Sequence, residues 1–511
     1  MIEPLKDRQN TLHVAHSWGG GLSKWVNDFC RQDIGSNSFQ LQSIGRVGVP
    51  GIELHLFSAT VSEQTDIPLS LTLLKKWTLS APITATAIYS VSYQIVLEEI
   101  LETYQISRVI ISSLIGHSLD ILSFGSVPRI VVCHDYYPFC PAINIYFEGV
   151  CSSCRGSHLK DCFDRNVFNR FFPLATAEDW VSIRRSYVDL VTEYNVPLVV
   201  PSASVKKNLQ LLSPRLRSQA NFVEISHGVD AFERSRSAEQ RSEASRDLLE
   251  SVPKASATSR PRVVILGSVD YQKGFYLIRE FYQRLARFSD LYFVGSGDIG
   301  EAVEQEIGVY VFKSYKRQDL PAIIDNISPD LALLLSVWPE TYSYTLSELF
   351  MLKVPVVATN LGSFSDRLED GVNGFLVEPV ADCVLAKVEA LLGERRADLD
   401  RVAENLTQTT HRTVKEMIGD YHRLIAAQLP QPLSKLYPFR ESVLLSRQVS
   451  LDVNKLARKQ SIWKLNRRTA FSERVPLTAR FKILNRLKNR FPKAWERIKA
   501  PILQIYTRIT Y

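Results

Sequence analysis

Two glutamates eight positions apart, Glu340 and Glu348, have the type and spacing to do chemistry. Glu340 precedes a predicted helix that Ser343 can cap, and Glu348 lies more than one turn inside it. Between them, the free backbone N–H groups of the first turn, near Tyr344 and Thr345, predict a seat for a phosphate. The segment therefore predicts a site for a diphosphate flanked by hydroxyl-bearing sugars, the alternative being two ordinary carboxylates on a helix surface.

A second set of candidate residues lies in the turn after the strand VVIL, which contains Gly267, Ser268, Lys273 and Gly274. A lysine held beside a diphosphate neutralises the charge that grows on a departing phosphate, and preorganised charge of this kind contributes strongly to catalysis. We therefore expect Lys273 to bind phosphate. The alternative is a lysine in a solvated turn.

Two strand ends in the first half of the chain carry further candidates. Gly19, Gly20 and Gly21 follow the run TLHVAH and precede a predicted helix, and three glycines let the backbone approach a phosphate without a side chain in the way. His134 and Asp135 follow the run RIVVC. The alternative for the three glycines is a simple tight turn. The alternative for His134 is a histidine that makes only a structural hydrogen bond.

The order of these segments resembles glycosyltransferase family four, the glycosyl transferases group 1, which has the GT-B fold. The similarity is densest in SVWPETYSYTLSELFMLKVPVVATNLGSFSDRLEDGVNGFLVEP, residues 336 to 379, and extends over about residues 11 to 425. It implies two Rossmann-like domains facing across a cleft and sugar transfer with retention at the anomeric carbon. It also implies catalysis without a metal, because this fold generally neutralises the diphosphate with protein groups.

The resemblance assigns roles to individual residues. It implies that Glu340 and His134 hold the donor's sugar, that Glu348 contacts the ribose of its nucleotide, and that Lys273 clamps the diphosphate. We therefore expect His134, Lys273 and Glu340 to be catalytic. The donor-binding residues that it implies are Gly19, Gly20, Gly21, Gly267, Ser268, Lys273, Gly295, Gly297, Tyr344, Thr345 and Glu348.

The sequence departs from the family at Ser268, where the diphosphate turn usually carries arginine. One positive charge is therefore missing. This difference favours the alternative function, a non-catalytic GT-B scaffold or a binding protein recruited to a membrane.

Gly295, Gly297 and Gly300 follow a strand with the spacing of a dinucleotide fingerprint, which alone would indicate an NAD enzyme. Such a fingerprint usually opens the first βα unit of its domain, whereas this loop follows the second strand of its half. The loop instead resembles the glycine turn of the family, with Asp298 where proline is usual.

Four cysteines, Cys140, Cys151, Cys154 and Cys162, fall within some two dozen residues, with His158 nearby. Cysteine thiolates and histidine are the usual ligands of tetrahedral zinc, so the cluster is a candidate structural zinc site. The spacing does not match a standard zinc ribbon. Reduced, unligated thiols are the alternative.

The elements that position these residues are short apolar runs separated by amphipathic stretches. TLHVAH at 11, ELHLF at 53, RVIISS at 108, RIVVCH at 129 and PLVVPS at 197 predict buried parallel strands, and RVVILGS, DLYFVGS and VPVVAT repeat the pattern after residue 261. We predict an α/β chain with the GT-B fold, whose two Rossmann-like doubly wound domains face each other across a cleft. The predicted bounds are 1–231 for the acceptor-side domain, 232–260 for a polar linker, 261–428 for the donor domain and 429–511 for a basic amphipathic tail.

Charge is distributed unevenly along the 511 residues. From Lys435 onward there are 19 Lys and Arg against 4 Asp and Glu, about +15, which leaves about −8 for the rest of a chain whose net charge is +7. Basic residues alternating with apolar ones predict a segment that lies on an anionic membrane surface. One alternative is docking onto the acidic remainder of the chain. The other is binding to nucleic acid, although the chain shows no recognised nucleic-acid-reading module.

The amino-terminal segment lacks the apolar core of a secretory signal, and the seven cysteines are an odd number. Both features predict a cytoplasmic protein, peripheral at the cytoplasmic face of the membrane if the tail binds lipid. We predict transfer of a hexose from a UDP- or GDP-sugar to a glycan or a lipid-linked saccharide in cell-surface polysaccharide synthesis, without nucleic acid as a partner.

Overall fold

The computed structural model describes residues 8–47, 49–60, 69–83, 85–169, 171–172, 175–232, 260–300 and 308–428, which form two compact α/β units. The described residues up to Gly228, together with residues 414–428, make the first unit. Val229–Thr413 make the second. Nearly all of the predicted linker and the whole predicted tail lie outside the described residues.

The first unit is built on an eight-stranded sheet with the strand order β4-β3-β2-β1-β5-β6-β7-β8. The strands β2 and β5 pair with β1 in parallel, and the pairs β5–β6, β6–β7 and β7–β8 are also parallel. The pairs β2–β3 and β3–β4 are antiparallel. The strands are β1 Gln9–His16, β2 Ser36–Arg46, β3 Val49–Thr60, β4 Ser70–Thr78, β5 Arg108–Ile111, β6 Arg129–Val132, β7 Leu198–Val200 and β8 Phe222–Glu224.

The antiparallel pairing of β3 corrects the prediction of a parallel strand for ELHLF. Leu54 and Leu56 are buried there, while Glu53 is exposed and His55 is half-buried. This alternation is typical of a strand that is covered on one face only, so it does not require the helical layers of a parallel sheet.

Six α-helices lie among the described residues of the first unit before residue 228. Leu22, Trp25, Val26 and Phe29 form the buried stripe of the first helix, with the spacing that an amphipathic helix requires. The helices are α1 Gly20–Gln32, α2 Val91–Thr103, α3 Gly156–Arg165, α4 Ala177–Glu193, α5 Ala203–Leu212 and α6 Arg215–Gln219.

The second unit has a six-stranded, fully parallel sheet with the order β11-β10-β9-β12-β13-β14. The strands are β9 Arg262–Leu266, β10 Asp290–Val294, β11 Val309–Phe312, β12 Leu331–Leu334, β13 Val356–Thr359 and β14 Phe375–Val377. The helices are α7 Phe275–Leu285, α8 Gly297–Gly300, α9 Leu320–Ile327, α10 Tyr344–Met351, α11 Ser363–Arg367, α12 Ala381–Leu392 and α13 Arg396–Gln408. Every residue of β9, β10, β12 and β13 is buried, which confirms the predicted parallel sheet.

Each sheet has a point where the direction of strand addition reverses. In the first unit it lies between β1 and β5, and in the second between β9 and β12. Ligands of open parallel sheets bind beyond the carboxyl ends of the strands at such a point. The loops after β1, β9 and β12 contain the glycine run, Lys273 and Glu340, so the topology places these predicted residues at the reversal points.

The last described helix, α14 Val414–Ala426, packs in the first unit, although the sequence analysis assigned it to the second. Its Met417 sulfur accepts a hydrogen bond from Trp25 Nε1 at 3.2 Å, and Tyr421 packs against Phe29. His422 lies 3.2 Å from the buried carboxylate of Asp33. These contacts cross almost four hundred residues of sequence, which is why periodicity along the chain did not reveal them. No helix among the described residues has both the length and the apolar character needed to span a bilayer.

Candidate active site

Lys273 and Glu340 meet at the reversal point of the second sheet. Lys273 Nζ donates to Glu340 Oε1 at 2.5 Å, and Ser336 donates to the same oxygen at 2.5 Å. The Glu340 side chain is 13% exposed and that of Lys273 is 40% exposed. The carboxylate is therefore mostly buried and held by two hydrogen bonds, while the ammonium group remains accessible to solvent.

The electrostatics keep both members of this pair charged. Burial would raise the pKa of Glu340, but the Lys273 ammonium, together with hydrogen bonds from Ser336 and Trp338, outweighs burial and holds that pKa below its usual range. Burial would lower the pKa of Lys273, and the Glu340 carboxylate instead holds it above its usual value. A cation and a hydrogen-bond acceptor thus lie side by side, an arrangement that suits a phosphate next to a sugar hydroxyl.

The turn that carries Lys273 is shaped by a neighbouring aspartate. Asp270 Oδ1 accepts the backbone N–H groups of Gln272 and Lys273 at 2.9 and 3.0 Å. Gly274 then caps α7 with a φ of +85°, and a Cβ there would lie 2.1 Å from the carbonyl oxygen of Leu335. Only glycine fits this close approach between the loops after β9 and β12.

The amino terminus of α10 begins four residues after Glu340, and the phosphate seat at Tyr344 and Thr345 stays a prediction. Ser343 Oγ accepts the N–H of Leu346 at 3.3 Å, which confirms the predicted cap. A Cβ on Gly267, whose φ is +97°, would lie 3.6 Å from Thr345 Oγ1. The glycine turn after β9 and the first turn of α10 are therefore neighbours.

Glu348 forms an ion pair that sequence reasoning did not predict. Its Oε1 accepts Arg317 Nε at 2.7 Å, and its side chain is 9% exposed. Arg317 also donates to the carbonyl oxygen of Asp230 at 3.0 Å and lies 4.6 Å above the ring of Phe232. Arg317 thereby fixes the rotamer of Glu348.

The glycine loop after β10 lies next to the same residues. A Cβ on Gly295 would lie 2.5 Å from the ring of Tyr315, and one on Gly297 would lie 3.9 Å from Ser268 Oγ. Burial raises the pKa of Tyr315, and the nearby negative charge of Glu348 raises it further. Tyr315 and Arg317 follow β11 without any recognisable motif, so their position after a strand end was the only signal in the sequence.

In the first unit, the glycine run forms the junction between β1 and α1. Gly19 and Gly20 have φ values of +84° and +75°, and a Cβ added to either would meet nothing within 4 Å. Gly21 is exposed in the first turn of the helix. The backbone there is open to a ligand, and its phosphate-binding role stays a prediction.

His134 follows β6 in the first unit, whereas Lys273, Glu340 and Glu348 lie in the second. Its ring packs edge-on against Trp25, with centroids 4.9 Å apart, and lies 5.2 Å from the ring of His227. Burial, aided by His16, lowers the pKa of His134 to about 3. His134 is therefore neutral at physiological pH and suited to hydrogen bonding with a sugar hydroxyl.

The four clustered cysteines pack around α3 and α4. Backbone or side-chain N–H groups donate to three of their sulfurs: Ile145 to Cys140 at 3.3 Å, Arg184 to Cys154 at 3.1 Å and Asn166 to Cys162 at 3.2 Å. The fourth, Cys151, lies 3.5 Å from His158 Nε2. As placed, no three His, Cys, Asp or Glu side chains in the described part of the chain are arranged to hold a metal ion.

Comparison with known proteins finds a similarity to one family within the second unit. Residues 260–394, about a quarter of the chain, match the glycosyl transferases group 1. The matched segment contains every residue of the second unit that the sequence analysis assigned to the donor. A search of curated protein sequences found no match to the chain.

Solved glycosyltransferases share the fold of this chain. A glycosyltransferase from Rickettsia africae ESF-5 aligns over 82% of this chain and 98% of its own, at 13% identity and a TM-score of 0.50. Anabaena HepE, in complex with UDP and glucose, aligns over 82% and 100%, at 14% identity and a TM-score of 0.51. Sucrose-phosphate synthase from Thermosynechococcus elongatus aligns over 82% and 100%, at 13% identity and a TM-score of 0.50. At these identities the likeness shows the GT-B fold and no more.

Proposed function

We propose that the protein transfers a hexose, with retention, from a UDP- or GDP-sugar to a glycan or lipid-linked saccharide in the synthesis of a cell-surface polysaccharide. The observation that carries the proposal is the Lys273–Glu340 pair beside the amino terminus of α10. A binding scaffold has no need of a buried carboxylate held charged by a lysine. The GT-B relative from Anabaena, solved with UDP and glucose, supports a nucleotide-sugar donor.

In this proposal the donor's diphosphate binds Lys273 and the N–H groups of Tyr344 and Thr345. The bond between the anomeric carbon and the diphosphate oxygen breaks, and the acceptor's hydroxyl oxygen bonds to the same face of the sugar. The acceptor's proton passes to the departing diphosphate. Lys273 and the amides stabilise the charge on that leaving group, which requires no metal and no covalent intermediate.

The sugar and the nucleoside are held at opposite ends of the diphosphate. Glu340 accepts hydrogen bonds from hydroxyls of the hexose. The family resemblance also implies a sugar contact for the neutral His134. Glu348, oriented by Arg317, accepts a ribose hydroxyl. Ser268 provides no charge where relatives usually have arginine, so phosphate binding rests on Lys273 and on helix-terminal amides.

The experiment that tests the donor site is a thermal-shift panel of UDP, GDP, ADP and their common sugars. We expect one nucleotide to raise the unfolding midpoint of the wild type and to lose that effect in Glu348→Ala. Glu389→Ala, which removes an exposed glutamate on α12, is the matched control and should behave like the wild type.

The nucleotide found in this way is then supplied as its hexose conjugate, and the anomeric configuration of the product is read by NMR. Retention and release of the nucleoside diphosphate support the proposal. Absence of a shift with every nucleotide at millimolar concentration would instead favour the non-catalytic scaffold, to which the missing charge at Ser268 points.

A further inference from the structure

The turn that leads into α10 has a backbone conformation that serine rarely adopts. Ser343 has φ +66° and ψ +94°, in the left-handed region, where Cβ crowds the neighbouring carbonyl of any residue except glycine. Such strain persists only where the surrounding structure holds it, and it concentrates at functional sites. The contacts that hold this turn therefore indicate which function the strained conformation serves.

Arg367, at the end of α11, encloses this turn. Its Nη1 donates to the carbonyl oxygens of Tyr342 and Ser343 at 2.5 and 2.9 Å, and its Nη2 donates to Ser347 Oγ at 2.7 Å. The guanidinium group also lies 4.1 Å above the ring of Tyr342. A planar fork with several donors can make all of these contacts at once, which a lysine ammonium cannot.

The geometry of the two carbonyls links Arg367 to the strain. In an extended chain, consecutive carbonyl groups point to opposite sides, so a single nitrogen cannot reach both. Arg367 Nη1 reaches both carbonyl oxygens because the chain turns at Ser343. The dihedral angles of Ser343 set the relative direction of these two carbonyl groups. Arg367 thus stabilises the conformation that the serine side chain disfavours.

The same segment holds the other end of the turn. Ser363 N–H donates to the carbonyl oxygen of Glu340 at 2.7 Å, and a Cβ on Gly362 would lie 2.5 Å from that oxygen. The segment from Gly362 to Arg367 therefore braces both ends of a turn that begins with Glu340 and ends at the amides of α10.

We propose that Arg367 is a positioning residue of the donor site, which holds Ser343 in the left-handed conformation and thereby aims the amides of Tyr344 and Thr345 at the diphosphate. The inference rests on the proposed function. The competing explanation is that the guanidinium group attracts the diphosphate directly by its charge.

The first test is a mutant cycle in the absence of ligand, read as the midpoint of thermal unfolding. Arg367→Leu lowers the midpoint. Adding Ser343→Gly recovers most of the loss, because glycine adopts positive φ without crowding and costs little as a helix cap. Ser343→Ala is the matched control, since it keeps Cβ and loses the cap, and it recovers nothing. Equal recovery by alanine and glycine would overturn the proposal.

The second test is the affinity of UDP and of GDP, measured by calorimetry on the full chain. For whichever nucleotide the wild type binds, Arg367→Leu weakens binding by roughly tenfold or more, and adding Ser343→Gly restores it to within about threefold. Arg367→Lys remains weak, because it keeps the charge without the fork. Arg284→Leu, on the surface of α7, leaves affinity unchanged.

The two explanations predict opposite results. Affinity retained in Arg367→Lys and not restored by Ser343→Gly would assign a direct effect of charge and overturn the positioning role. Unchanged affinity in Arg367→Leu would overturn it as well. A wild type that binds neither nucleotide would refute the proposed function, whereas the ligand-free cycle would still decide whether Arg367 compensates the strain at Ser343.

Discussion

Lys273 and Glu340 neutralise each other, so removing either residue leaves a charge without its partner. Lys273→Ala should lower kcat for sugar transfer by about a hundredfold or more, because the departing diphosphate loses its cation. The pKa of Glu340 should rise at the same time, since burial is then opposed only by the hydrogen bonds from Ser336 and Trp338. The rate of nucleoside diphosphate release measures the effect. Lys387→Ala, which removes an ion pair with Asp370 and a cation–π contact with Phe375, is the control. A kcat within a factor of about two of the wild type would contradict this role.

Acid should destabilise the first unit through His13. This side chain is fully buried, and both of its ring nitrogens have no hydrogen-bond partner among the described residues. Burial lowers the pKa of His13 to about 4, while Asp33 and Arg108 have smaller, opposing effects. As pH falls below about 6.5, the unfolded chain binds a proton before the folded chain does. Stability is therefore complete above that pH and is lost toward pH 4, by up to about 3 kcal/mol.

His13→Phe should remove the contribution of His13 to this dependence, because phenylalanine fills the same site against Phe29 and cannot be protonated. The buried His16, His117 and His134, whose pKa values burial also lowers, keep their contributions. The measurement is the free energy of unfolding in urea at about pH 7 and about pH 5, where the variant should lose roughly 2 kcal/mol less than the wild type. His55→Phe replaces a half-buried histidine on β3, the strand next to the edge strand β4, and serves as control. An unchanged difference between the two pH values would show that other groups govern acid sensitivity.

The residues that sequence reasoning found and those that it missed differ in one respect. Glu340, Glu348 and Lys273 stand at fixed offsets within continuous segments, so their pattern was visible. Arg317 contacts residues 31 and 87 positions away, and Arg367 contacts residues 20 to 25 positions away. Three of these five partners are backbone carbonyls. A carbonyl leaves no trace in residue type, which is why neither arginine could be assigned from the sequence.

At the level of elements, apolar runs predicted the strands better than they predicted strand direction. The runs RVVIL and DLYFV are buried throughout, as their composition indicated. SLTLLKKWT forms β4, although most of it is exposed, because it pairs with β3 through backbone hydrogen bonds that any sequence can make. The helix α14 was assigned to the wrong unit because its partners on α1 lie far away in sequence.

As placed, the four cysteines of the loop between β6 and α4 are not arranged to hold a metal ion, so bound zinc would require their side chains to move. Burial, reinforced by the neighbouring Cys162 and Cys154 side chains, raises the pKa of Cys140 to about 12, so the Cys140 thiol is neutral unless a cation is bound. A zinc ion would displace the thiol protons, and the sulfurs would then be its ligands.

We expect about one zinc per chain in protein purified without chelators, measured by elemental analysis. Cys154→Ser should lose the zinc. Cys383→Ser, which changes an exposed cysteine on α12, should keep it. Wild-type protein without zinc would assign the four thiols as reduced and unligated.

At the scale of the whole molecule, the excess positive charge belongs to residues 435–511, which lie outside the described residues. Attraction of the tail to the remainder of the chain, at about −8, competes with attraction to an anionic membrane. A membrane offers a high density of negative charge together with an apolar layer for Phe481, Leu484 and Leu487, whereas the acidic remainder offers only charge. We therefore predict that, at low ionic strength, the tail binds an anionic membrane more strongly than it binds the acidic remainder of the chain.

The full chain should sediment with vesicles that contain anionic lipid and not with neutral vesicles, and added salt should release it. Replacing Arg486 and Lys488 with glutamate should weaken binding by roughly tenfold or more, because each basic charge near the surface contributes about 1 kcal/mol. The same double reversal at Lys206 and Lys207, which are exposed on α5, is the matched control and should change binding little. Equal losses in both variants would mean that net charge alone drives adsorption. No sedimentation of the wild type would leave the acidic remainder as the tail's partner, since that attraction requires no lipid.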